Sequence, residues 1–423
     1  MSRRAKKRLI IIGAILSLIL VGAYIAHRMY YSIPKTRISL TAMYPEMKAD
    51  SFHHYLNLPV DHNQPDADHF RGFYILSPSF YTDTNVTFLL TDGQMELVTV
   101  NTDISFFENI LGGTAYVLIG VRGHDPTYFP EVYKQGKVDY ARAIDLFNSD
   151  QQVEDIEMVR LDLIKKGLLS PGARINVFGA SGAGILAQQY ISKYGDHVKR
   201  AILESTGAPD LAQEAHLPYS PDFKDFNAAA DSILRLLLQQ KEIHKAAICN
   251  ILYQLGRTEK DPRGAQLKLV NKLKEGSWLL SYRLKPSMNL SVLRYIISAP
   301  REVAARVRWY ELTGNDLLRY DPQKGINLLC EISKATLADF IEYSNNSGHQ
   351  PRQFRITRNF PGQVLILKGT RDVVFGDEIN RKLQQSYPQA QLLFFDDGHR
   401  MQLDPVKYRK LRVNFLKGGF TSL

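Results

Sequence analysis

Val177-Phe178-Gly179-Ala180-Ser181-Gly182-Ala183-Gly184 constrains this chain more than any other stretch. An apolar run reaches a serine bracketed by small residues, and a helix-forming segment, Ile185 to Tyr190, follows at once. A strand that turns directly into a helix at a serine brings two backbones close together. Side chains flanking the turn must then be small, and the serine is held in a strained conformation. A tight turn that happens to carry a serine, or a glycine loop that cradles phosphate, would read similarly. Partners elsewhere in the chain decide between these.

A serine hydroxyl is a weak nucleophile until a histidine accepts its proton, and that histidine needs a carboxylate to fix its tautomer. In the α/β-hydrolase fold the partners follow in the order Ser, Asp or Glu, His, each on a loop after a strand. Gln363 to Gly369 reads as a buried strand and is followed by Thr370-Arg371-Asp372. Gln391 to Phe395 reads as the next strand and ends in Asp396-Asp397-Gly398-His399. Asp377 to Tyr387, between them, has helical spacing, with Asp377 placed to cap it. The expected triad is therefore Ser181, Asp372 and His399. Asp396 and Asp397 are alternative acids, but both stand too close to His399 in sequence to orient its ring from the far side. The remaining histidines lack ligand spacing such as His-Glu-x-x-His, so no metal and no cofactor are expected.

A developing oxyanion needs two backbone N–H donors. Gly182, directly after the nucleophile, is one. Thr91-Asp92-Gly93-Gln94-Met95 follows the strand Val86 to Leu90, so Gly93 or Gln94 is the expected second donor, an ordinary turn being the alternative.

Upstream, Arg3-Arg4-Ala5-Lys6-Lys7-Arg8 precedes an apolar run from Leu9 to Ala26. That run is just long enough to span a bilayer and long for a cleaved signal. It reads as an anchor with residues 1–8 cytoplasmic and the body outside, joined by a linker at 27–50. A cleaved signal is the alternative, with Val21-Gly22-Ala23 spaced for it. The net charge is +10 over 423 residues, and the leader carries five of those charges. The excess in the body forms no dense patch, which argues against nucleic acid as a partner. Cys249 and Cys330 could pair in an exported protein or remain buried thiols. Asn85, Asn289 and Asn345 stand in glycosylation sequons.

Further short strands are expected at Phe52 to Val60, His69 to Leu76, Ala115 to Val121 and Val198 to Leu203. An amphipathic helix is expected over Asp150 to Lys166, capped near Asn148. Alternating strands and helices imply a mostly parallel sheet covered on both faces, formed by residues 51–207 and 355–423. Between 208 and 354 the strand signals stop. Ala228 to Leu255, Gly264 to Lys274, Leu290 to Ile297 and Leu328 to Tyr343 have helical periodicity, which suggests a cap or lid over Ser181 or a separate partner-binding unit.

Several segments together resemble the prolyl aminopeptidase and tripeptidyl aminopeptidase-type serine peptidases. Leu58-Pro59-Val60-Asp61-His62 to Pro65 is similar to their opening segment, Arg122-Gly123-His124 to their Arg-Gly loop, and Asn148 to Arg160 to the helix before their nucleophile strand. Val364 to Asp372 and Asp397-Gly398-His399 match their last two catalytic segments. The resemblance implies Ser181, Asp372 and His399 in the triad and release of short N-terminal pieces from peptides. It also implies an acidic residue for the substrate's amino group, for which Glu204 is the positional candidate. Two departures stand out: the oxyanion segment is Thr91-Asp92-Gly93-Gln94, and the aromatic residue often found after the serine is Gly182. The residues and the resemblance together point to a serine hydrolase acting as an exported aminopeptidase-like peptidase, with a carboxylesterase or lipase of the same fold as the alternative and a silent binding protein as the remaining one.

Overall fold

The computed structural model describes residues 3–30, 48–95, 97–124, 129–240, 245–275 and 302–423. The helix expected at Leu290 to Ile297 and the Asn289 sequon lie outside them. Eight strands form one sheet: β1 (His53–Pro59), β2 (His69–Leu76), β3 (Thr87–Leu89), β4 (Tyr116–Ile119), β5 (Ile175–Ala180), β6 (Val198–Glu204), β7 (Gln363–Gly369) and β8 (Ala390–Phe395). Their spatial order is β1-β2-β4-β3-β5-β6-β7-β8. β2 runs antiparallel to both β1 and β4. Every pairing from β4 through β3 to β8 is parallel.

Strands buried on both faces are apolar at most positions, and the two parities here feed two cores. Phe88, Val177, Ala201, Leu203, Val364 and Ile366 face one side. There they meet Ile156 and Val159 of the helix Ser149–Lys165, Leu186 and Tyr190 of Gly182–Tyr194, and Leu383 of Asp377–Ser386. Leu89, Phe178, Ile202, Leu365 and Leu367 face the other side, against Phe107 and Leu111 of Ser105–Leu111 and Phe415 of Pro405–Gly418. The Ser149 helix is capped as expected, with the Asn148 side chain accepting from the Gln151 amide. The cap of the Asp377 helix instead falls on Gly376, with Asp377 in the first turn.

Between β6 and β7 the described residues form helices. Phe223–Gln240, Lys245–Thr258 and Pro262–Lys274 share a small core of their own around Leu234, Leu252 and Val270. Val303–Arg319, Leu328–Thr336 and Ala338–Ser347 follow. Leu312 and Leu329 pack against Ile185 and Phe375, which couples this insertion to the nucleophile helix. Cys249 and Cys330 are both buried free thiols, and burial pushes both thiols up.

At the N-terminus, Arg3–Tyr30 is one helix of 28 residues. Its Ile10–Arg28 portion is long and apolar enough to cross a membrane by length and composition, a test that a signal sequence also passes.

Candidate active site

β5 delivers Ser181 to the N-terminus of the next helix with φ 55° and ψ −126°. A non-glycine residue in this region is strained and must be held by its surroundings. Here the Ser181 amide donates to Glu204 O at 2.9 Å, and the Ser181 carbonyl accepts from Gly184 N at 3.0 Å and Thr206 Oγ1 at 2.8 Å. The small flanking residues are required. A Cβ on Gly179 would strike the Ala183 carbonyl, and one on Gly184 would strike Thr206.

His399 Nε2 lies 3.1 Å from Ser181 Oγ, and His399 Nδ1 lies 3.1 Å from Asp372 Oδ1. β7 and β8 are adjacent and parallel, so the loops at their C-terminal ends are neighbours, and Gly369 is the point of close approach. A side chain there would collide with the Asp397 and Gly398 carbonyls. Asp396 is ion-paired with Arg371. Asp397 accepts from the Gly398 and Leu403 amides and so shapes the loop bearing His399. Of the three candidate carboxylates, Asp372 is the one bonded to the ring.

Asp372 also accepts from the Val374 amide at 2.8 Å, and its Oδ2 lies 2.9 Å from Lys368 Nζ. Burial alone would raise the Asp372 carboxyl. Lys368 and then His399 overcome that and hold it far below the usual carboxylate range. Burial lowers His399, and Asp372 only partly opposes the effect. The ring is therefore neutral at pH 7 and able to accept a proton. Lys368 was not singled out in the sequence, although a lone cation inside the apolar run Val364-Leu365-Ile366-Leu367-Lys368 is the signal that marks it.

Gly182 begins the helix Gly182–Tyr194, whose N-terminus favours developing negative charge. Gly93 has φ +79° and its carbonyl accepts from His124 Nε2 at 2.8 Å. The Gln94 amide donates to Asp92 Oδ1 at 3.1 Å, and Gln94 Nε2 to Asp92 Oδ2 at 2.5 Å. A Cβ on Gly182 would overlap both the Asp92 carboxylate and the Gln94 side-chain amide. This explains the missing aromatic residue after the serine, because Asp92 and Gln94 of the acidic loop occupy that space. Burial raises Asp92 against the pull of Arg308.

Glu204, the positional candidate for the substrate's amino group, is not presented to the site. It shares the parity of Ile202 on β6, and Arg412 holds both its oxygens, at 2.7 and 2.8 Å. The N-terminal segments behind the peptidase resemblance meet around Arg122, and His124 and Gln152 tie them to the Thr91–Gly93 loop. Buried Arg122 donates to both Asp155 oxygens at 2.6 Å and to the carbonyls of Pro59, Val60 and Leu146. His62 Nε2 lies 2.8 Å from Asp155, and Gln151 Nε2 donates to Asp61 at 2.9 Å. These motifs form one buried network that fastens β1 to the Ser149 helix.

The family model for the alpha/beta hydrolase fold matches residues 103–406, more than half of the chain. The chain belongs to this alpha/beta hydrolase family. Its structure is similar to an esterase from Exiguobacterium antarcticum, with a TM-score of 0.42 at 15% identity, covering 82% of this chain and 96% of that one. It is also similar to the enol-lactonase from Burkholderia xenovorans LB400, at 0.40 and 15%, covering 82% and 96%. A probable hydrolytic enzyme from Pseudomonas aeruginosa PAO1 gives 0.42 and 16%, covering 86% and 95%. No curated protein matches the chain. As an alpha/beta hydrolase, the chain has the strand order and elbow that this fold uses to present a nucleophile.

Proposed function

We propose that this alpha/beta hydrolase is a serine hydrolase that works through an acyl-enzyme. The observation that carries the reading is the continuous Ser181–His399–Asp372 relay, with both links at 3.1 Å and the serine on a strained elbow. Ser181 Oγ bonds to the substrate carbonyl carbon while His399 Nε2 takes the hydroxyl proton. The leaving alcohol or amine departs with that proton as its bond to the carbonyl carbon breaks. Water then repeats the sequence, losing a proton to His399 and releasing the acid and free Ser181. Asp372 keeps the His399 Nδ1–H donating to it throughout. The Gly182 amide at the helix N-terminus and the Gly93 amide are the donors for the developing oxyanion, since the Gln94 amide is engaged by Asp92.

Between ester and peptide, the local charge supports an ester. An aminopeptidase needs a carboxylate free to meet a substrate ammonium, and Glu204 is already engaged by Arg412. The helical insertion brings arginines toward the triad, and these disfavour a cationic substrate end. The N-terminal helix supports a membrane-anchored or exported enzyme, with the basic residues Arg3 to Arg8 on the cytoplasmic side.

Ser181→Ala tests the reading. Hydrolysis of p-nitrophenyl esters should fall by roughly 10⁴-fold or more, and covalent labelling by a fluorophosphonate should disappear. Full turnover in this variant would refute the mechanism. Turnover of peptides only when the amino end is free would return the aminopeptidase reading.

A further inference from the structure

Arginines from two separate helices of the insertion reach the catalytic loops with guanidinium nitrogens left over. Arg308 lies on Val303–Arg319, one turn before Leu312. Positions four apart share a helix face, and Leu312 packs with Ile185, Tyr219 and Phe375 over the nucleophile helix. A turn earlier, Ala304 sits against Gly123. Arg308 is 1% exposed. Its Nη1 donates to Glu311 Oε2 at 2.9 Å, but Nε and Nη2 are buried without a hydrogen-bond partner among the described residues. Glu311 is shared, because it also accepts from the Ser149 amide and from Arg352.

Arg257 stands near the end of Lys245–Thr258, beside the loops that carry Asp372 and His399. Gly256 abuts Val373, and Gln402 Nε2 donates to Thr258 O at 2.8 Å. The Arg257 guanidinium lies over the Tyr253 ring at 5.7 Å. Tyr253 packs against the cluster containing Phe375, whose ring is 5.8 Å from that of His399. Arg257 Nε is likewise buried and unpartnered among the described residues. Arg400 follows His399 directly, and burial and the charge of Arg257 both lower it. Besides Glu311 and Asp372, Asp92 faces these cations, and its oxygens are both taken by Gln94.

A buried guanidinium nitrogen without an acceptor is costly, and the planar fork matches a carboxylate in two parallel bonds. We propose that Arg308 and Arg257 form an anion subsite beside Ser181, so that the preferred substrates are esters whose acyl chain ends in a second carboxylate. This rests on the acyl-enzyme reading and adds the substrate class to it. The far carboxylate seats on the two guanidiniums while the near carbonyl meets Ser181. A neutral acyl chain leaves those N–H groups unpaired, and a cationic one is repelled.

The full-length protein is assayed with p-nitrophenyl esters of adipic, hexanoic and ε-aminocaproic acid, whose acyl chains are of similar length. The wild type should prefer the adipate ester over the hexanoate ester by about 10-fold or more in kcat/KM, with the aminocaproate ester slowest. Arg308→Met and Arg257→Met should each bring the adipate-to-hexanoate ratio toward one, chiefly through KM, and Arg308→Lys should retain part of it. Equal rates in the wild type, or preference for the cationic ester, would overturn the subsite. So would an undiminished preference in either Met variant that still takes fluorophosphonate label. If the Met variants do not fold, inhibition of the wild type by free adipate and hexanoate decides. Stronger inhibition by adipate supports the subsite, and equal inhibition overturns it. Failure of the underlying mechanism looks different: the wild type takes no fluorophosphonate label and Ser181→Ala keeps its turnover.

Discussion

Lys368 Nζ lies 2.9 Å from Asp372 Oδ2, and neither side chain is exposed to solvent. The cation completes a line of charge that runs through Asp372 and His399 to Ser181. Removing one partner of a buried ion pair leaves the other uncompensated, at about 3–5 kcal/mol. Lys368→Met should therefore lower the urea midpoint strongly, although it adds no bulk to the strand. A loss below about 1 kcal/mol would show that water already screens the pair.

The same pair sets the acid side of the pH profile. His399 must be neutral to take the Ser181 proton, and its pKa is held below the ordinary 6.5 by burial, with Arg257 and Lys368 adding to the lowering and Asp372 opposing it. kcat/KM should accordingly be level at pH 7 and fall only as the pH drops below that ordinary value. Lys368→Met removes a charge that lowers His399, so the acid limb should move to higher pH. The stability that Asp372 contributes has the opposite origin. Its pKa is depressed, so the contribution is complete above an ordinary aspartate pKa near 3.9 and is lost as the pH falls toward the native value. A pH–rate series on both proteins checks the first point, and acid unfolding checks the second.

Gly182→Ala places a methyl group where the Asp92 carboxylate and the Gln94 side-chain amide now lie. The loop must retreat, and the donors proposed for the oxyanion move with it. A fall of about 10²- to 10³-fold in kcat is expected, with a smaller change in KM. Steady-state kinetics on a set of neutral esters measures the split.

Cys249 and Cys330 are buried and unpaired. A thiol reagent should count both groups in denaturant and react with neither at an appreciable rate in the native protein. A missing thiol in non-reducing denaturant would reveal a disulfide instead.

The alternating strands and the elbow were legible because local rules and tertiary demands agree there. Gly179 and Gly184 are small for the steric reasons their spacing suggests, and the order Ser181, Asp372, His399 follows from the parallel strands β5, β7 and β8. The helix Val303–Arg319 gave no such signal. Arg306, Arg308 and Glu311 are all buried on it, so charged residues interrupt the apolar stripe that marks an ordinary amphipathic helix. Glu204 was misplaced for a different reason. Its position at a strand end near the elbow suggested access to substrate, but strand parity turns its side chain toward Arg412 on the opposite face. Nothing in Thr91-Asp92-Gly93-Gln94, the segment expected to supply the second oxyanion donor, shows that the Asp92 carboxylate folds back onto its own loop.

Gln402 Nε2 bonds to Thr258 O, and Arg371 Nη1 bonds to Lys260 O at 3.1 Å. The end of the Lys245–Thr258 helix is thereby stitched to the segments that carry the general base and its orienting acid. An outward swing of the insertion at this edge would drag the imidazole away from the hydroxyl it must serve. Substrate admission and a working proton relay are compatible only if this seam stays closed and the opening movement occurs elsewhere along the rim.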